Sequence, residues 1–154
     1  AAKLDLLRRV VFSYVIGNDD LHMKNISLQR IHEGGEGYFD QLTPNYDVLF
    51  AQAFPNNREG QFLACDLWTD STGKEEFTEH YQRYGFYSGY DFGELRHRYG
   101  LPPKVVRKVL QAQIDNSKAI RSIIESSVMP DQMKHEASSL VAQRSQALEI
   151  GLIR

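Results

Sequence analysis

The second half of the chain is punctuated for helices, and this constrains the fold more than anything else in the sequence. Glu75 to Tyr84 and Asp91 to Tyr99 carry helical patterns of apolar residues. Pro102-Pro103 opens a helix running to about Ile114, because proline suits the first helical turn. Ser117 to Ser127 reads as the next helix. Met129-Pro130 breaks the chain, and Asp131 caps or opens a last helix to about Ile150. A chain of 154 residues is enough for one domain around one core. The expected class is mainly α (α+β), a helical bundle with a small β-hairpin.

The first half supplies the hairpin. Leu4, Leu6, Leu7, Val10, Val11, Tyr14 and Val15 recur at helical spacing, and Gly17 follows as a helix stop. Asn18 to Asn25 is polar apart from Leu21 and Met23, and reads as a loop. Ile26, Leu28 and Ile31 are strand-like, with Tyr38 to Leu42 as the returning strand. His32 to Gly37, rich in glycine, is the expected turn. Thr43-Pro44 ends the second strand, and Asn45 to Phe50 begins another short element. Residues 51–73 read as irregular.

Composition excludes several classes. Apolar residues make up 42% and charged residues 25%, which predicts a folded chain without disorder. The single cysteine, Cys65, cannot form an intramolecular disulfide, and no Cys/His cluster has zinc spacing. Cys65 is expected to be a small buried hydrophobe. No apolar run approaches the ~20 residues that span a bilayer, and no signal peptide is visible. A cytoplasmic protein without membrane contact is therefore expected. Helical pattern already begins at Ala1, so the chain is expected to start inside a larger protein. Net charge is −2 but unevenly spread. Residues 1–95 carry 8 Lys/Arg against 15 Asp/Glu, a net of −7, and residues 96–154 carry 10 against 5, a net of +5. The basic half could face nucleic acid, another acidic partner or the acidic half itself, or be only a solvated helical surface.

The chemistry lies in Gly17-Asn18-Asp19-Asp20-Leu21-His22-Met23-Lys24-Asn25. Asp20 and Asn25 have the D-x-x-x-x-N spacing of a kinase catalytic loop. In that arrangement the Asp accepts or orients the substrate hydroxyl proton, and the Asn ligates Mg²⁺ through its amide oxygen. A second carboxylate is then needed, because magnesium takes one or two carboxylates plus phosphate oxygens. Asp47 stands beyond the returning strand, where a hairpin brings it back toward Asp20 and Asn25. The alternative is that Asp19 and Asp20 are ordinary turn or cap residues. Spacing to Asn25 selects Asp20 over Asp19 as the base.

Gly-Asn-x-Asp-x-His-x-Lys-Asn, followed some twenty residues later by Leu-x-Pro-x-Tyr-Asp, resembles the HipA family of bacterial toxin kinases. The resemblance is detailed from Leu6 to Phe50 and rests on helical pattern alone as far as about Gly151. It implies that residues 1–154 form a C-terminal kinase subdomain, with a catalytic loop at 17–27, a metal-binding loop at 43–50 and a helical bundle at about 74–150. It implies Asp20 as the catalytic base, with Asn25 and Asp47 as Mg²⁺ ligands. His22, Met23, Lys24, Asn25, Tyr46 and Asp47 would line ATP. His22 could instead hydrogen-bond the Asp20 region, Lys24 could be solvated, and Tyr46 could pack under the loop. The implied activity is transfer of the ATP γ-phosphate to a protein serine or threonine, on an aminoacyl-tRNA synthetase. The implied partners are a HipB-like DNA-binding antitoxin and an N-terminal kinase lobe, with direct DNA contact by the basic half a further option.

Two competing readings remain. Aminoglycoside-type phosphotransferases share Asp-x4-Asn and a later Asp, but place His two residues before the Asp, where this chain has Asn18. A non-catalytic module that binds an antitoxin or DNA is the other. Tyr81, Tyr84, Phe86, Tyr87, Tyr90 and Phe92 form an aromatic stretch that reads as core between helices, or with Arg83 as a stacking surface for a partner. No glycine-rich phosphate loop or strand lysine precedes Asp20, and both are parts of a kinase site. The chain therefore reads as a fragment or one product of a split gene. The isolated 154-residue chain is expected to bind Mg-ATP weakly and to phosphorylate nothing, and robust phosphotransfer by it alone would overturn that expectation.

Overall fold

The computed structural model describes residues 2–30, 39, 41–54 and 62–152. Helix α1 (Ala2–Ile16) is its centre. Leu7, Val11, Tyr14 and Val15 are fully buried, at the spacing of one helix face. Ser13 and Ile16 are buried as well, so the last turns are enclosed nearly all round. The helix ends in a Schellman motif. Gly17 N–H donates to Tyr14 O at 3.2 Å and Asn18 N–H to Ser13 O at 2.8 Å, with Gly17 at φ 66°. Those bonds satisfy terminal carbonyls that α1 cannot satisfy itself.

Strands β1 (Leu28–Gln29) and β2 (Gln41–Leu42) pair antiparallel, Leu28 opposite Leu42 and Gln29 opposite Gln41. Thr43 N–H donates to Ser27 O at 2.9 Å and extends the ladder by one step. Each strand is shorter than the apolar pattern suggests, and the expected turn at His32 to Gly37 lies outside the described residues. Asn45 to Phe50 forms no regular element, and a 3-10 turn at Ala51–Ala53 follows it.

Four further α-helices follow among the described residues: α2 (Glu79–Tyr84), α3 (Gly89–Tyr99), α4 (Pro103–Ser126) and α5 (Asp131–Glu149). The start of α2 at Glu79 corrects the expected start at Glu75. Glu75 instead bridges to Thr69, and Thr78 caps the helix by accepting the Tyr81 N–H at 3.1 Å. The Asp91 side chain closes the start of α3, accepting Ser88 N–H at 2.6 Å as in a capping box and also Ser88 Oγ–H at 2.6 Å. The two helices expected between Pro102 and Ser127 are one continuous rod. Asp115 and Asn116 are only mildly unfavourable inside a helix, and Gln111 Nε2 donates to Asp115 Oδ1 at 2.9 Å across one turn.

A short connector folds α5 back on α4, with Arg121 Nε donating to Ser138 Oγ at 3.0 Å. Leu110, Ile124, Val141 and Leu148 from these helices join α1 and Phe92 in one core. Half of the aromatic stretch belongs to this packing: Tyr87 and Phe92 are buried and Tyr81 packs against the core, whereas Tyr84 is exposed with Arg83 5.8 Å from its ring centroid. Cys65 corrects expectation: it is exposed.

Tyr14 is fully buried and donates its hydroxyl to Tyr87 O. Desolvation pushes its pKa up from 10.0 to about 12, against the opposing charge of Arg144. The unfolded chain therefore loses this proton first as pH rises. Stability from Tyr14 is intact below about pH 10 and is lost towards pH 12, by up to ~2–3 kcal/mol. Denaturant unfolding at pH 8 and pH 11 should show a larger loss for the parent than for Tyr14→Phe.

Candidate active site

The loop after α1 is built on its own side chains. Asn18 is fully buried, and its Oδ1 accepts the Asp20 N–H at 3.1 Å. Asp20 O in turn accepts the His22 N–H and the Asn25 Nδ2–H, both at 2.8 Å. The Asp20 peptide is thus held from both sides while its carboxylate stays half exposed. His22 Nε2 lies 3.8 Å from Asp20 Oδ1. That distance is too long for a hydrogen bond, so the hydrogen bond from His22 to Asp20 is the backbone one.

Asn25 is nearly buried. A carbonyl can only accept, so the amide nitrogen of Asn25 must face Asp20 O and its oxygen must face away. That Oδ1 accepts no hydrogen bond among the described residues. Asp19 and Asp20 differ in surroundings as successive residues should. Asp19 is half-buried, and its charge supports the cationic form of Arg144, whose pKa desolvation otherwise lowers. Asp20 faces solvent.

The second loop is tied to the first through Tyr46. Its hydroxyl donates to Lys24 O at 3.0 Å and lies 3.0 Å from Ser27 Oγ. Lys24 and Ser27 flank Asn25, so the residue before Asp47 is clipped beside the proposed magnesium ligand. Asp47 is exposed and takes φ 54°, the one non-glycine residue with positive φ among those described. Asp and Asn enter that region more readily than other non-glycine residues. The Met23 and Lys24 side chains are exposed.

Three supports beneath these loops have no role in the sequence reading. Arg9, buried, donates to Thr43 O and pairs with Asp5 at 2.8 Å. Its position four residues after Asp5 was a readable helix pair. Gln52 N–H donates to Gly17 O at 3.1 Å, and Gln52 Oε1 accepts from Arg144 Nη2 at 2.9 Å. Nothing in the spacing of Gly17, Gln52 and Arg144 announces that chain of contacts.

The donor set fits a hard cation bound with a nucleotide. Asn25 offers an amide oxygen and Asp47 a carboxylate, and Mg²⁺ in such sites takes most of its remaining ligands from water and phosphate. Among the described residues, no three His, Cys, Asp or Glu side chains gather to hold a metal by themselves.

A family model of the HipA-like C-terminal domain matches residues 1–120. The chain belongs to that family. A curated relative from Haemophilus influenzae, described as "Putative kinase", is 28% identical over 132 residues. The match covers 84% of this chain and 37% of that relative, so the chain spans well under half the length of the protein it matches. In this HipA-like domain both loops and both strands fall inside the matched residues, while α5, which carries Arg144, lies beyond them. No described helix is long and apolar enough to cross a membrane.

Gly17 joins the core to the loop. A Cβ there would stand 2.2 Å from Leu140 Cδ2, at a φ that L-residues resist. Gly17→Ala should therefore destabilise the chain by ~1–3 kcal/mol, measured as a lower denaturation midpoint with an unchanged slope.

Proposed function

We propose that this HipA-like domain supplies the catalytic half of a serine/threonine protein kinase site. The observation that carries the proposal is the hydrogen-bonded frame in which Asn18 and Asn25 fix the Asp20 peptide while Tyr46 clips the Asp47 loop alongside. Phosphoryl transfer demands mostly positioning and charge stabilisation, and a pinned loop provides positioning.

In this reading the half-exposed Asp20 carboxylate accepts the proton of the acceptor hydroxyl, with the His22 ring 3.8 Å away beside it. Asn25 Oδ1 and the Asp47 carboxylate hold Mg²⁺. When bound, the magnesium–ATP complex supplies the γ-phosphoryl group and neutralises its phosphate oxygens. Lys24 adds a point cation for those oxygens, and Met23 and Tyr46 offer apolar surface to the nucleotide.

The exposed apolar side chains Met23, Tyr46, Val48, Leu49 and Phe54 border these loops. Such a patch favours a covering partner, here an N-terminal lobe that closes over ATP. A cytoplasmic toxin–antitoxin setting follows from the same family reading, with an aminoacyl-tRNA synthetase as protein substrate and a HipB-like antitoxin as partner. The basic C-terminal half is available for a DNA contact.

The test uses the full-length protein that carries this chain. Asp20→Asn should lower transfer of radiolabelled γ-phosphate to protein by ~10²–10⁴-fold while stability stays within ~0.5 kcal/mol. Undiminished transfer would sink the assignment. Asp47→Asn, which keeps the backbone preference and removes the charge, should raise the Mg²⁺ concentration needed for half-maximal rate. An unchanged magnesium profile would remove Asp47 from the site.

A further inference from the structure

Away from the catalytic loops, residues between Phe62 and Tyr87 enclose a cavity of about 200 Å³. That is far more than the ~10–15 Å³ a single water needs. Its walls are aromatic. Phe62 meets Tyr81 with ring centroids 6.1 Å apart at 86° and Tyr87 at 5.9 Å and 70°. Tyr81 and Tyr87 are 4.7 Å apart at 48°, and Phe77 stacks on Tyr81 at 4.2 Å. Phe62 thus stands steeply against Tyr81 and Tyr87, while Phe77 and Tyr81 form a stacked pair at 12°. Leu63, Cys65 and two exposed carboxylates, Asp66 and Glu75, complete the lining, and among the described residues no cationic side chain is part of it.

We propose that this cavity binds an organic cation, an ammonium or guanidinium head held against the rings and neutralised by Asp66 and Glu75. Aromatic faces attract cations through their quadrupole, most strongly where water is excluded. The two acids are close enough to hydrogen-bond. Desolvation raises the Glu75 pKa, and the charge of Asp66 and that hydrogen bond raise it further. A cation between them relieves their repulsion. A neutral apolar guest would desolvate both carboxylates without compensation. A bare metal ion would find aromatic walls where it needs oxygen ligands.

The chain uses the same chemistry on its own cations. Arg98 lies 5.1 Å from the Trp68 centroid with Nη2 3.9 Å from Glu76 Oε2. Arg144 lies 4.4 Å from both the Tyr14 and Phe62 centroids. Arg144 already serves the Phe62 ring of the cavity, whereas among the described residues no cation lies over Phe77, Tyr81 or Tyr87, the rings that share the cavity with the two acids.

The occupant's head group could come from a lysine or arginine of a partner protein or from a free small cation. Calorimetric titration of the chain with tetramethylammonium, argininamide and a short peptide with one central arginine tests the site and separates the sources. Nucleotide and magnesium are left out, so the result does not depend on the kinase reading. The cations should bind saturably, and tert-butanol, a neutral mimic of tetramethylammonium, at least about tenfold more weakly. Asp66→Asn with Glu75→Gln should cost the cations a similar factor. A peptide tighter than argininamide assigns a protein side chain, and a weaker one assigns a free cation. Equal affinity for tert-butanol, an affinity untouched by the double substitution, or no saturation by any cation would overturn the proposal. The comparison with tert-butanol needs no variant, so it stands even if a substitution disturbs folding.

Discussion

The buried guanidinium of Arg144 is the contact on which the arrangement of loops depends. It sits against the faces of Tyr14 and Phe62 and donates to Gln52 Oε1. Gln52 holds Gly17 O, and Gly17 begins the loop that carries Asp20. One side chain on α5 therefore connects α1, the segment after Asp47 and the start of the Asp20 loop. Burial of such a charge is costly unless it is matched. Desolvation lowers the Arg144 pKa, and Tyr14, the Gln52 oxygen and the charge of Asp19 offset part of that cost. Asp19 thus has an interior electrostatic role, and its neighbour Asp20 is left facing solvent.

The two loops are held by different means. The loop bearing Asp20 is held because its own asparagines satisfy its backbone, Asn18 from below and Asn25 from across the turn. The Asp47 loop has no regular secondary structure and depends on outside ties. Arg9 grips Thr43 O, and Tyr46 reaches back to Lys24 and Ser27. Tethered loops on a packed helical base suit a site that must be precise at a few atoms and open to large substrates.

Much of this was legible in the sequence. The mainly helical class, α1 with its glycine stop, and Pro103 at the first turn of α4 follow from periodicity and local steric rules. So does the loop bearing Asp20 and Asn25, since polar residues crowd between two apolar elements. What was not legible depends on distance in the chain. Asp115-Asn116 reads as a gap between helices, yet packing of the flanking apolar positions carries the helix through. Glu75 fits a helical pattern, but pairing with Thr69 extends it instead. Cys65 reads as interior by residue type, while its place on an irregular segment leaves it exposed. Gln52 and Arg144 are 92 positions apart, so no local pattern reveals that they touch.

The positive φ of Asp47 narrows which residues can stand there, apart from any chemistry. The backbone admits glycine, asparagine and aspartate most readily. A hard-cation site asks for an anionic oxygen. Only aspartate meets both demands. Glutamate, the usual conservative exchange, would keep the charge but strain the chain, and asparagine would keep the chain but lose the charge. Among natural variants of this domain, position 47 should therefore tolerate less drift than its exposure suggests. A homologue with glycine there would have kept the turn while giving up the ligand.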